Sequence, residues 1–181
     1  KGAREDLEIM KKAKSALEQG KMLFTAEFAD VRENEKVRLL NLLTIKPQLY
    51  LLNGKPEDIQ PALAEKIKSL GADYVVVDLA GSPDLGGLIK KAYEILGLIS
   101  FFTTGEDETR AWTIRNGAKA PEASGAIHSD FEKKFIRAEV INWEKLIEAT
   151  SWSKAKQKGT LRLEGKEYVF QDGDVAEIRH G

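Results

Sequence analysis

The stretch Asn53-Gly54-Lys55-Pro56-Glu57 is the first whose residue types could do chemistry. It follows the apolar run Gln48–Leu52, and ligands of open α/β sheets gather beyond the carboxyl ends of such strands. A carboxamide there could read a ligand, and Gly54 is grouped with Asn53 as a candidate binding residue. Asn53 could equally hold the turn before the next helix, and the residues alone leave both roles open. A phosphate grip is a separate question. No G-x-x-x-x-G-K-[ST] occurs in the 181 residues, so they spell no backbone cradle, lysine or Mg²⁺-holding hydroxyl for a triphosphate. Gly81–Gly87 has glycines but no Lys-Ser/Thr pair and reads as a strand-to-helix turn. The chain alone is therefore not expected to hydrolyse nucleotide or to hold a cofactor.

Two histidines, His128 and His180, are too few for a His-rich metal site, and with no cysteine there is no disulfide or thiolate chemistry. His128, Ser129 and Asp130 spell a Ser-His-Asp set, but adjacent residues diverge on a turn and cannot relay protons. Ser129 followed by Glu132 reads instead as a capping box. Asp84, Glu94, Glu106 and Glu108 read as solvated surface carboxylates. A polyanion surface is the stronger candidate. Period two puts Arg110 and Trp112 on one strand face, with Arg115 further along the same strand. Lys133, Lys134 and Arg137 follow on or just after a helix, and Lys154, Lys156 and Lys158 form a basic run. Aromatics among cations can stack on bases and neutralise phosphates. Glu132, Glu139 and Glu144 offset these charges, and Trp112 also fits a core position.

The elements that must position these residues follow from periodicity. Leu7, Met10, Ala13 and Leu17 predict a helix over 3–19, stopped by Gly20. Asp30-x-x-Glu33 starts a second helix, with Val31, Val37, Leu40 and Leu43 along one face. Gln48–Leu52 and Ala72–Leu79 read as buried strands around a helix from Pro56 that buries Ile59, Leu63, Ile67 and Leu70, a βαβ unit with parallel strands. Ser82-Pro83 starts a helix through Leu96, burying Leu85, Leu88, Ile89, Ala92, Tyr93 and Leu96. Two parallel strands bury little by themselves, so this half leans on the first helices or belongs to a larger sheet. Ile99–Thr103 and Thr109–Arg115 form a hairpin around Gly105–Glu108. The Gly/Ala/Pro-rich passage from Asn116 to Ile127 leads to a short helix, Asp130–Phe135, and Arg137–Ile141 returns as a strand. Hairpin, helix and return strand open a β-grasp, ubiquitin-like fold. A helix capped by Asn142, a helical turn over Ser151–Gly159, and strands at Thr160–Leu163, Tyr168–Gln171 and Val175–Arg179 complete the chain.

Composition adds bounds. Net charge is −1, with 15 basic and 15 acidic residues before Leu98 and 13 and 14 from it onward. Any polyanion contact must then be local. No apolar run reaches the length of a membrane span. The expectation is a cytoplasmic protein with no membrane partner. Lys1, entering directly on a helical pattern, reads as the start of a fragment.

FFTTGEDETRAWTIRNGAKAPEASGAIHSDFEKKFIRAEVI (Phe101–Ile141) and LRLEGKEYVFQDGDV (Leu161–Val175) resemble, nearly collinearly, the TGS domain that ends the YchF/Obg-like ATPases. KPQLYLLN (Lys46–Asn53) resembles that family's K-P-x-x-Y-x-x-N strand. There an N-x-x-E motif reads the purine and associates the family with ATP. Here Pro56 stands at the glutamate position and Glu57 falls one residue later. The family's S-A-K-like loop is replaced by Asp78–Ser82, and an intervening acidic helical segment is absent. The resemblance implies two domains. Residues 1–97 would be the remnant of a P-loop NTPase-type nucleotide domain, with a helical-arm segment over 1–43 and βαβα over 44–97. Residues 98–181 would be a TGS β-grasp domain, giving an α+β / α/β class overall. It also implies a full-length parent that binds ATP or GTP with Mg²⁺ and meets the ribosome or RNA, or a protein through the β-grasp sheet. The other reading is a catalytically retired homologue, a binding module that works without nucleotide.

Overall fold

The computed structural model describes residues 2–81, 85–105 and 107–181. The chain folds as two units, Lys1–Leu96 and Gly97–Gly181. The expected helix start at Ser82-Pro83, and the carboxylates of Asp84 and Glu106, lie outside the described residues.

The first unit opens with α1 (Gly2–Glu18). Gly20 ends it at φ 70°, where Lys21 N–H reaches back to Ala16 O at 2.9 Å, a left-handed cap that favours glycine. The second expected helix is broken in two, α2 (Ala29–Glu33) and α3 (Glu35–Leu39). Asn34 causes the break: its Oδ1 accepts from Val37 N–H at 3.2 Å and its Nδ2 donates to Asp6 at 2.8 Å. A side chain that bonds the backbone this way competes with a continuing helix. The helix therefore stops short of Leu43, which is 73% exposed, and Leu40 is exposed as well. Ala13, Ala16, Leu23, Phe28, Val31 and Val37 form the core of this part.

β1 (Leu49–Asn53) and β2 (Asp73–Val77) pair in parallel, with Leu49 opposite Asp73 and Asn53 opposite Val77. The helix between them, α4, spans Pro61–Ser69, not the expected run from Pro56; Pro56–Asp58 is a 3₁₀ turn. Pro61 starts α4 because its fixed φ and missing N–H suit a first turn. α5 (Leu85–Leu96) follows, with Lys91 paired to Asp73 and Glu94. The hydrogen bond from Lys91 holds the Asp73 carboxyl below its usual range. The strands are only half-buried, and Leu63, Leu85, Leu96 and Ile89 (56%) are exposed where a buried face was expected. Two strands present too little surface to cover both helices.

The second unit is built on one mixed sheet, in the order β4-β3-β7-β5-β6. β3 (Leu98–Thr104) and β4 (Thr109–Arg115) form the expected hairpin, Phe101 opposite Trp112. β5 is Phe135–Asn142, β6 Arg162–Glu164 and β7 Asp174–His180. β7 lies parallel to β3 and antiparallel to β5, so the last strand sits between the first and the third of this unit. The Gly/Ala/Pro-rich passage Asn116–Ile127, where the sequence pattern marks no element, holds α6 (Ala120–Gly125), started at Pro121 and burying Ala120 and Ala123. α7 is Ser129–Lys133, α8 Trp143–Ala149 and α9 Trp152–Gln157. Asn142 caps α8 as expected, accepting from Glu144 N–H at 3.0 Å. The expected strand at Tyr168–Gln171 is only a bridge between Lys119 and Val169. On one sheet face Ile99, Phe101, Ile114, Ala138, Val140 and Ala176 pack with Phe170 and α6; on the other, α8 and α9 cover Phe102, Ile141 and Val175.

Candidate functional site

Parallel pairing brings the carboxyl ends of β1 and β2 to one edge, which positions Asn53. Its Oδ1 accepts from Leu79 N–H at 3.0 Å, and Gly54 N–H donates to Val77 O at 3.2 Å. Asn53 thus ties the end of one strand to the loop leaving the other. Beside it, Asp78 Oδ1 accepts from Ala80 and Gly81 N–H at 3.0 and 3.3 Å. This is an Asx turn that Asp-x-x-Gly could have announced in the sequence. Lys55 N–H donates to Asp58 Oδ2 at 3.1 Å, and Glu57 is exposed on the 3₁₀ turn. The Asn53 side chain therefore does not hold the turn before the next helix, one of its two expected roles; Asp58 does that, and Asn53 braces the loop leaving β2.

The six basic and aromatic candidates of the second unit do not gather. Arg110 and Trp112 share a face of β4, with the guanidinium 4.3 Å from the ring centroid. Trp112 is half-buried against the core and donates from Nε1 to Thr103 Oγ1 at 2.9 Å. Arg115 is an odd number of residues from both and so points to the opposite face. Lys133 and Lys134 are exposed at the end of α7, and Lys134 O accepts from Gly181 N–H at 3.2 Å. Arg137 shares the face of Arg115, but β3 and β7 lie between their strands.

The cap expected from Ser129 belongs to His128, whose Nδ1 accepts from Asp130 N–H at 3.2 Å. Ser129 is already inside α7, because an imidazole nitrogen one residue earlier does the capping. His180 stacks on Phe131 at 4.1 Å, so the two histidines bracket one ring. Among the described residues no three His, Asp or Glu side chains are placed to hold a metal ion, and no helix is long and apolar enough to cross a membrane.

One polar cluster escaped the sequence reading. Asp174, 2% exposed, accepts from Tyr168 Oη at 2.6 Å, Gln171 N–H at 2.9 Å and Arg162 Nη2 at 3.3 Å. Burial first, then the hydrogen bond and charge of Asp174, pushes the Tyr168 phenol well above its usual range. The cluster clips the loop after β6 to the start of β7.

A parallel strand–helix–strand unit and a five-stranded mixed sheet carrying four short helices make this a mixed α/β protein. Residues 98–181 match the YchF-GTPase C-terminal family, described as "Protein of unknown function (DUF933)". The ribosome-binding ATPase YchF of Bacillus subtilis is 39% identical over 204 residues, covering 96% of this chain and 56% of that protein. The Haemophilus influenzae protein of the same name is 35% identical, covering 99% and 56%. The solved Schizosaccharomyces pombe YchF GTPase superposes with a TM-score of 0.79 at 31% identity, covering 97% of this chain and 55% of that one. Residues 98–181 thus belong to the YchF C-terminal family, and the chain is similar to YchF proteins over nearly its whole length. It spans a little over half the length of the curated relatives it matches. The matched span of 204 residues exceeds the 181 of this chain, so the relative carries residues inside that span that this chain lacks.

Proposed function

We propose that this chain is the C-terminal part of a cytoplasmic, ribosome-binding YchF-type ATPase. Residues 1–97 close its nucleotide domain and 98–181 form a TGS β-grasp module that docks on the ribosome. The sheet order is the observation that carries the reading: a hairpin, crossing helices and a return strand, with the last strand slotted parallel beside the first. The names of the relatives support the ribosome as partner. The residues to hold the base in the whole protein are Asn53, through its NH₂, and Gly54. Phosphates and Mg²⁺ would be met by residues outside these 181. The chain alone binds and does not hydrolyse.

Co-sedimentation with ribosomes tests the docking role. The chain is expected in the ribosomal pellet at low salt and in the supernatant at high salt, as contacts to a polyanion require. Absence from the pellet at low salt would remove it. Charge reversal at Arg110 and Lys133 should weaken pelleting if the β4 and α7 surfaces take part.

The rival reading, a retired module that works without nucleotide, has one observation in its favour. Asn53 Oδ1 already serves Leu79 N–H, and Pro56, which has no polar side-chain atom, follows three residues on. Titrating the full-length protein with labelled ATP and GTP separates the two. Under the ATPase reading Asn53→Ala lowers nucleotide affinity about tenfold, the worth of one buried hydrogen bond of about 1.4 kcal/mol. No saturable binding to the unsubstituted protein at millimolar nucleotide would leave the retired module.

A further inference from the structure

The register of β5 and β7 sets Arg137 directly opposite Arg179, and Glu139 directly opposite Glu177. Like charges so placed repel one another. Arg179 relieves the carboxylates alone, with Nη2 3.6 Å from Glu139 Oε1 and Nη1 3.1 Å from Glu177 Oε1. Arg137 stands opposite Arg179 in the register and has no carboxylate partner among the described residues. α8 and α9 cover the far end of this sheet face, over Phe102, Ile141 and Val175, so Arg137 stays exposed. Beside it lies a shallow depression of 240 Å³ lined by Arg137, Glu139, Lys156, Leu161, Arg162 and Leu163. That is the volume of about eight waters, enough for a phosphate and part of its hydration. The Arg162 guanidinium is already engaged with Tyr168 and Asp174, while Lys156 has no ion-pair partner among the described residues.

We propose that this depression is an RNA phosphate site, in which Arg137 and Lys156 close on a single phosphodiester. It rests on the ribosome-docking reading above and names where that docking is made. A guanidinium fork matches two phosphate oxygens, and an ammonium adds a point charge. Glu139 and Glu177 flank the pair and repel a run of negative groups. A phosphodiester set between neutral sugars suits that pattern better than an acidic peptide with successive carboxylates, or than the dianion of a phosphoserine. Binding of the anion also separates the two opposed arginines electrostatically.

The test is fluorescence anisotropy of the 181-residue chain with a fluorescein-labelled 24-nucleotide RNA hairpin across a salt series. The double variant Arg137→Gln, Lys156→Gln is expected to bind about tenfold more weakly, with a salt slope lower by about 0.9 for the lost phosphate contact. Arg137→Lys keeps the charge without the fork, so it should retain the salt slope and recover part of the affinity. Glu139→Gln removes a repelling carboxylate and should tighten binding, whereas Lys11→Gln, on α1, should change nothing. Tryptophan-fluorescence melts of every variant check that the fold is kept. Unchanged affinity and slope in the double variant, with the unsubstituted chain binding normally, overturn this site and leave the docking reading standing. No binding of the hairpin or of ribosomes by the unsubstituted chain overturns both. A phosphoserine peptide that binds more tightly than the hairpin, and through Arg137, overturns the RNA assignment in favour of a protein partner.

Discussion

Asp174→Ala is expected to lower the stability of the Gly97–Gly181 unit by about 1–3 kcal/mol, because two part-buried hydrogen bonds, from Tyr168 Oη–H and Gln171 N–H, lose their buried acceptor together. Arg162 is about half exposed and can return to water, so its share of the loss is small. Urea titration followed by tryptophan fluorescence reads the effect on this unit alone. All three tryptophans of the chain, Trp112, Trp143 and Trp152, lie in it. Tyr168→Phe should cost less, about 1 kcal/mol, since the phenyl ring stays packed on Phe170 at 5.4 Å. In the double variant the two losses should not add, because the residues share one interaction. A loss below about 0.5 kcal/mol for Asp174→Ala, the range of ordinary surface changes, would sink the claim that this cluster holds the loop.

The same cluster sets an alkaline limit. The folded-state pKa of Tyr168 is raised by burial, then by the hydrogen bond and charge of Asp174. Its contribution is complete below the unfolded phenol pKa of about 10 and is lost as pH rises above it. Without Asp174 the raising hydrogen bond and charge disappear, so the alkaline loss in Asp174→Ala should be shallower than in the unsubstituted protein.

Phe101→Ala is expected to be more severe, about 3–5 kcal/mol. The Phe101 side chain is 0% exposed, and its ring centroid lies 4.8 Å from that of Phe170. It sits on β3 between the hairpin partner β4 and the last strand β7, so the cavity opens where three strands meet and cannot close by shifting one of them. In the same titration the tryptophan transition should move to markedly lower urea. Ile89→Ala on α5 is the contrast: an exposed apolar side chain removed from the other unit should leave that transition where it was. A small effect at Phe101 would mean that the sheet core collapses around the gap, and that the packing of Phe101 on Phe170 is less decisive than its burial implies.

Much of the chain could be read before any coordinates. Alternating and helical periods located α1, both strands of the parallel pair, the β3–β4 hairpin, β5 and the α8 cap at Asn142, because each depends on residues a few positions apart. The dense motif over Phe101–Ile141 identified the family for the same reason, as a local pattern of residue types. The misreadings were places where a side chain overruled its neighbours: Asn34 breaking a helix, His128 taking the cap from Ser129, Pro61 starting a helix that Pro56 seemed placed to begin. α6 was missed because its buried residues are alanines and a serine, too small to mark a face.

What the residues determined on their own was most of the local elements, the absence of a phosphate loop within these 181 positions, and the family. Only the tertiary structure decided which of them meet. The register of β5 with β7 opposes Arg137 to Arg179 across some forty residues of chain, and the loop after β6 brings Tyr168 and Gln171 onto Asp174. The same pairing order holds Arg115 and Arg137 apart, although composition had grouped them. Charge and hydrogen-bond geometry act through space over a few ångströms, whereas periodicity acts along the chain, so contacts between distant strands are written only in how the strands are ordered.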